Sequence, residues 1–183
     1  GAYLILALKP DWRPDGQVNY GQLVNPAVAL PTENLRLRDA QGQPVAGNPF
    51  GRRWVLLQLL RGPCEDACRR ELVLSRQVYT TLGDKRERVV RALVAVQGAD
   101  LQPVQSAFGA EQPGLLWLRD SASTPQLAGL LATAPDNALL LLDPVGTWLM
   151  FYPNVAADPA AVQKDFKGIQ KDLRKLLRLS HIG

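Results

Sequence analysis

The sequence predicts an α/β domain: a central mixed sheet flanked by helices, with an N-terminal hairpin extension. Three observations carry that prediction. The composition is globular, with 46% apolar and 21% charged residues over 183 positions, which excludes a disordered or collagen-like chain. Three runs, Trp54 to Leu60, Val89 to Val96 and Ala138 to Leu142, are almost continuously apolar, as strands buried on both faces are. Between and after them the apolar period changes to that of helices, and such alternation builds layered domains.

Taken in order, the chain opens with an apolar run, Ala2 to Leu8, of seven residues, where spanning a bilayer takes about 20. It reads either as the outer end of a membrane anchor or as a short segment packed on the domain. Residues 9–34 read as an extended linker or strap, turn-rich at Asp11 to Gly16 and interrupted by Asn25-Pro26 and Leu30-Pro31. The domain proper occupies residues 35–183. Leu35 to Arg38 alternates like a half-buried strand, and Gly42 suits a tight turn before Pro44-Val45, giving a small hairpin. After the first core strand, Arg61-Gly62-Pro63 leads to Cys64 and Cys68, placed in the loop and first turn of a helix running to Leu82, with Gly83 at its C′ position.

The second core strand is followed by a helix over Leu101 to Phe108, a break at Pro113-Gly114 and a short strand, Leu115 to Leu118. Thr124-Pro125 opens a short helix through Leu131, with Thr124 as N-cap. The third core strand turns at Asp143-Pro144-Val145-Gly146 into a return strand, Thr147 to Phe151. Asp158-Pro159 caps a final helix to about Leu179, whose stripe is Val162, Phe166, Ile169, Leu173 and Leu176. Its other side carries Lys164, Lys167, Lys171, Arg174, Lys175 and Arg178. That side reads first as a solvated face, and second as one attracted to an anionic membrane or an acidic partner. Apart from the short strand at Leu115 to Leu118 and the short helix after it, the order β-α-β-α-β-β-α is that of the thioredoxin fold.

Rare residues bound the chemistry. With two cysteines, one histidine and one methionine, a four-ligand Cys/His zinc site is excluded within one chain. A Ser-His-Asp triad could draw only on the terminal His181. No glycine-rich phosphate loop occurs, and a net charge of +4 is too mild to mark a nucleic-acid binder. A chain this long buries roughly 70% of its unfolded surface, so its core needs no disulfide. Cysteines four apart at a helix start have Cα atoms about 6 Å apart, within disulfide range. The pair can close a disulfide or hold a soft cation such as Cu(I) between two thiolates. The helix N-terminus, Arg61, Arg69 and Arg70 favour thiolates; Glu65 and Asp66 oppose them.

The segments Leu35 to Val45 and Gly51 to Leu57 resemble the opening of thioredoxin-like proteins of the peroxiredoxin and Sco/SenC type. Cys64-x-Asp66-x-Cys68 resembles the Sco copper-chaperone motif, and Leu142-Asp143-Pro144-Val145-Gly146 the late turn of that family. Asn19-Tyr20-Gly21-Gln22-Leu23, with Val18 before it, resembles a signature of small membrane-anchored bacterial proteins of the kind encoded with cytochrome c oxidase assembly genes. The departures are specific. Sco proteins bind copper through two cysteines and one histidine, the histidine lying before the strand that leads to the Asp-Pro turn; here that stretch is Ala134 to Ala138, without one. A peroxidase would want Thr three residues before the reactive cysteine, where Arg61 stands. Pro135 lies a few residues early for the cis-proline of thioredoxins, so an ordinary trans proline is expected.

The resemblance implies that residues 1–8 are the stump of an anchor in a bacterial inner membrane, with the soluble domain facing the periplasm. It implies assistance to cytochrome c oxidase assembly by thiol–disulfide exchange, with Cys64 attacking and Cys68 resolving. The partner would be an oxidase subunit or a copper chaperone, and no cofactor is required. One alternative is a copper(I)-binding assembly factor using the thiolates of Cys64 and Cys68, helped by Met150, Asp136 or an external ligand. The other is a non-catalytic scaffold in which the two cysteines form a structural disulfide.

Overall fold

The computed structural model describes residues 19–121, 123 and 125–180. The expected anchor stump at 1–8, the N-cap expected at Thr124 and His181 lie outside the described residues. Seven strands form one mixed sheet: β1 (Gln22–Ala29), β2 (Arg38–Asp39), β3 (Trp54–Leu60), β4 (Val89–Ala95), β5 (Leu116–Arg119), β6 (Leu139–Leu142) and β7 (Thr147–Tyr152), in the spatial order β1-β7-β6-β3-β4-β5-β2. β3, β4 and β5 are parallel neighbours, while β6, β7, β1 and the edge strand β2 pair antiparallel. Parallel neighbours need crossovers, here supplied by the helices α1 (Asp66–Thr80) and α2 (Gln102–Phe108). The short α3 (Leu127–Leu130) and the long α4 (Pro159–Leu179) complete the α-helices among the described residues.

The apolar runs end up where their composition demands. Every residue of β3 and of β4 is buried, because helices cover one face of the sheet and α3 with the 30–50 segment covers the other. Trp54 and Leu56 face α1 and α4, joining Leu74, Val78, Ile169 and Leu173. Val55, Leu57 and Leu59 face the other way, onto Leu35, Leu37, Phe50, Leu127 and Leu131. The expected hairpin forms: Asp39 N–H donates to Gln43 O at 2.9 Å, Val45 N–H to Leu37 O at 2.9 Å, and Gly42 takes a φ of 84°. Gly83, with a φ of 62°, follows α1 and opens a short 3₁₀ turn through Arg88.

Two expectations change. The strap contains a real strand: β1 pairs with β7 from Gln22↔Phe151 to Ala29↔Thr147, and the register shifts between Leu23 and Val28, the stretch holding a cis Asn25–Pro26 bond. That is the one cis bond among the described residues, so Pro135 is trans. The short helix starts at Leu127 with Gln126 at its N-cap, so Pro125 lies before the helix rather than at N1. Its N-terminal amides are satisfied by an upstream carboxylate: Asp120 accepts from Gln126 N and Ala128 N at 3.2 and 3.0 Å.

Helix α4 follows its sequence signal. The Asp158 carboxylate accepts from Ala161 N at 2.9 Å, and Pro159 opens the first turn. Ile169, Leu173 and Leu176 are fully buried, whereas Val162 and Phe166 at the front of the stripe are half-buried. Two acids that the stripe does not announce, Asp165 and Asp172, also turn inward. They receive the chain as it enters the domain. Asp172 accepts from Tyr20 N, Gly21 N and Tyr152 Oη at 2.9, 2.8 and 3.0 Å, and Asp165 accepts from Tyr20 Oη at 2.6 Å. Two glycines make room. A Cβ on Gly168 would overlap the Tyr20 ring, and one on Gly21 would lie 2.5 Å from Met150 Sδ. The Asn-Tyr-Gly signature is thus a docking element for the entering chain.

Candidate functional site

β3 is buried to its last residue, and its exit at Arg61-Gly62-Pro63 carries the chain to the surface before α1 returns it. Cys64 lies just before the N-cap residue Glu65 and is half-buried; Cys68, in the first turn of α1, is 1% exposed. The two sulfurs are bonded, with Cα atoms 5.2 Å apart. Sequence spacing therefore located the pair correctly, and the fold adds an asymmetry: one sulfur is near solvent and the other is embedded.

The embedded sulfur sits in apolar surroundings. Leu60, Leu93 and Ala95 of the sheet, Leu72 of α1, and Leu101, Val104 and Leu115 pack around Cys68. Gln58 of β3 adds a polar contact: its Nε2 donates to Cys68 O at 3.0 Å and to Cys68 Sγ at 3.5 Å. Gln58 was not legible as a site residue, since one glutamine in an apolar run reads as an interruption.

On its outer side the disulfide opens on a cleft of about 1060 Å³. One wall is the loop and helix start from Arg61 to Arg70; the other is Gln97 to Asp100 with Pro103, Val104, Ala107 and Phe108 of α2. The floor is apolar and the rim charged. Arg69 binds Asp66 and lies over the Phe108 ring at 5.3 Å. Arg70 reaches Asn154 Oδ1 and Val155 O at 3.1 and 3.2 Å. Arg61 donates to Ala134 O at 2.7 Å, Leu131 O at 3.1 Å and Asp136 Oδ1 at 2.9 Å, tying the 131–136 loop to the cysteine loop. All three arginines that could favour thiolates are therefore committed to other partners, and the carboxylates of Asp136 and Asp66 partly neutralise the fields of Arg61 and Arg69.

Among the described residues, no group of three or more His, Cys, Asp or Glu side chains is arranged to hold a metal ion. Met150 is fully buried on β7, packed with Tyr152 and Ile169 in a cluster separate from the cysteines. Its distance in the fold removes it as an auxiliary ligand. Asp136 is occupied by the Arg61 guanidinium, a cation where a third donor would be wanted. The residues present offer two thiolates once the disulfide is opened, and do not fit a three-donor copper site.

Comparison with known proteins gives the same architecture. Apo Sco1 from Thermus thermophilus superposes with a TM-score of 0.65 at 20% identity, covering 87% of this chain and 97% of that one. Copper-bound ScoI from Arabidopsis thaliana gives 0.56 at 17% identity over 77% and 96%. A SCO1/SenC family lipoprotein from Bacillus anthracis gives 0.59 at 13% over 85% and 98%. A search of curated protein sequences finds no match. The fold is thus that of the Sco/SenC thioredoxin-like proteins. One family model, described as "Transmembrane-like, thioredoxin-like, C-terminal domain", matches residues 54–180, from the first core strand through the last helix. With two thirds of its length matched, this chain belongs to the family of transmembrane-like, thioredoxin-like C-terminal domains.

Proposed function

We propose that this chain is a thiol–disulfide exchange protein whose working pair is Cys64–Cys68. The observation that carries this is the asymmetry of the disulfide: Cys64 is half-buried on an open cleft, and Cys68 is closed off behind it. Exchange proceeds by thiolate attack through a mixed disulfide, so one sulfur must be reachable and the other must resolve. In the reduced protein the Cys64 thiolate attacks a partner disulfide and releases one partner thiolate. The Cys68 thiolate then attacks Cys64 Sγ, re-forms the internal disulfide and releases the second. Two electrons and two protons pass from this chain to the partner.

The partner we propose is a cysteine pair of a cytochrome c oxidase subunit or of a copper chaperone, with the domain on the periplasmic side of the inner membrane. Support comes from the Asn19-to-Leu23 signature and from a fold shared with Sco proteins, one of them described as a lipoprotein and another with copper bound. The apolar wall at Pro103, Val104 and Phe108 suits an apolar residue beside the partner cysteine.

The test is trapping. Reduced Cys68→Ser should accumulate a mixed disulfide with a disulfide-bonded peptide copied from a candidate oxidase copper subunit, and Cys64→Ser should not. Exchange by Cys64→Ser at the wild-type rate would refute the reading.

A further inference from the structure

We propose that Gln58 is a positioning residue for the exchange chemistry: its side-chain amide is the hydrogen-bond donor that stabilises the Cys68 thiolate whenever the disulfide is open. The inference rests on the reading of Cys64–Cys68 as an exchanging pair.

Gln58 stands in the middle of β3 and is 1% exposed. It and Arg91 are the two polar residues of β3 and β4, whose positions are otherwise apolar and all buried. The Gln58 Oε1 atom is buried and has no hydrogen-bond partner among the described residues. A buried amide with one end unsatisfied is unfavourable compared with a leucine of similar size. Stability therefore does not explain the residue.

The other end of the amide points at Cys68. Nε2 is 3.0 Å from Cys68 O and 3.5 Å from Cys68 Sγ. The carbonyl lies inside α1, where helix geometry already gives it an acceptor role toward the amide four residues on. Among the described residues the sulfur has no other hydrogen bond, and it shares a buried cluster with Leu60, Leu93, Ala95, Leu101, Val104 and Leu115. The charged groups have other partners: Arg61, Glu65, Asp66, Arg69 and Arg70 line the cleft, Glu71 feels the charge of Asp165 on α4, and the buried Arg91 of β4 donates to Leu72 O, Ser75 Oγ and Gln112 Oε1 at 2.8, 3.0 and 2.6 Å. An uncompensated thiolate in such surroundings is strongly disfavoured, and an N–H donor relieves that.

The consequence is kinetic as well as thermodynamic. In the resolving step Cys68 gives up its proton, and its electron pair forms the bond to Cys64 Sγ while the partner thiolate leaves. In the reverse direction a partner thiolate attacks Cys64, the Cys64–Cys68 bond breaks, and Cys68 leaves with the pair. A donor held on Cys68 favours the thiolate in both directions, and a leaving thiol of lower pKa departs faster. Glutamine differs from a carboxylate here, since it supports the anion and cannot remove its proton.

The test isolates the sulfur. In a Cys64→Ser background Cys68 is the one thiol, and its ionisation is followed by thiolate absorbance against pH. Adding Gln58→Leu should lower the thiolate fraction about tenfold at a given pH, as loss of one charge-assisted hydrogen bond does. Gln58→Glu, which sets a carboxylate beside the sulfur, should lower it further. Gln58→Met serves if the leucine variant fails to fold. A Cys68 titration unmoved by these changes, with or without a fall in thermal stability, would assign Gln58 a structural role and overturn the proposal. The titration needs no partner, so it fails separately from the exchange reading. With both cysteines present, the same substitution should slow resolution of the mixed disulfide and leave the initial attack by Cys64 unchanged.

Discussion

The corner where Tyr20 meets α4 and the corner holding the disulfide both interrupt an apolar core with polar groups, and they do so in opposite ways. At the first, Tyr152, Asp165 and Asp172 are buried beside the half-buried Tyr20, and four hydrogen bonds from Tyr20, Gly21 and Tyr152 reach the two aspartates. At the second, a single amide supports a sulfur, and the other sulfur stands at a cleft. A closed, nearly satisfied network fixes one structure. A half-open pair with few partners is free to change its bonding. Substitutions at the two corners should therefore separate stability from chemistry.

The largest effect is expected from Asp172→Ala. It strips the acceptor from Tyr20 N, Gly21 N and Tyr152 Oη at once. Buried donors left unpaired cost about 1–3 kcal/mol each, so a loss of about 3–5 kcal/mol is expected in denaturant unfolding, with exchange at Cys64 unaltered in the folded fraction. A loss under about 1 kcal/mol would show that this corner does not fix the entering chain.

Next is the pH response of Glu71, fully buried on α1 near Asp165. Burial first, and then the Asp165 charge, push its carboxyl from 4.5 up to about 9, with Arg70 pulling the other way. Burial also raises Asp165, against the hydrogen bond from Tyr20. The folded state thus holds a proton that the unfolded state releases. That contribution is fully present below pH 4.5 and is lost as pH rises toward about 9. Glu71→Gln should flatten the decline and exceed the wild type in stability at pH 8 by about 1–3 kcal/mol. Parallel pH profiles for the two proteins would contradict this.

Gly168→Ala follows, at about 1–3 kcal/mol, because the new methyl must displace the Tyr20 ring. Thermal melts of this variant and of Tyr20→Ala should shift together, and in the double mutant the glycine substitution should cost much less. The smallest effect belongs to the disulfide corner. Arg69 is exposed and holds Asp66 and the Phe108 ring, so Arg69→Ala should cost under about 1 kcal/mol. It should nevertheless change the exchange rate, because it removes one rim of the cleft.

The two corners also differed in how far sequence could read them. The cysteine pair and its place at a helix start followed from spacing and from the continuous apolar strand before it, while spacing left a disulfide and a bound soft cation equally open. The sheet and α4 followed for the same reason, since their signals are local and periodic. The Tyr20 corner was not legible as a structure: Asp165 and Asp172 flank the apolar stripe of α4, and their partners lie about 150 positions away in the chain. Two acids seven apart beside the stripe of α4 were the available signal. β1 was hidden by Asn25-Pro26 and by mixed exposure along its length, because its order comes from pairing with β7. The cap of α3 was misplaced because Asp120 reaches it from six residues upstream of Gln126.

Copper gives a further contrast with the Sco proteins of similar fold. Two thiolates beside an Arg61–Asp136 pair make a poor cage, so a moderate chelator should strip Cu(I) from the reduced protein. Retention of one equivalent, lost in the Cys64/Cys68 double mutant, would favour the metal reading instead.

Whether Cys64–Cys68 is a working bond is read from its midpoint potential against thiol–disulfide buffers. Structural disulfides of exported proteins lie below about −300 mV. A working bond should give a value clearly above that limit, within reach of exchange with another protein's cysteines. A value below it would make the bond a staple and refute the exchange role.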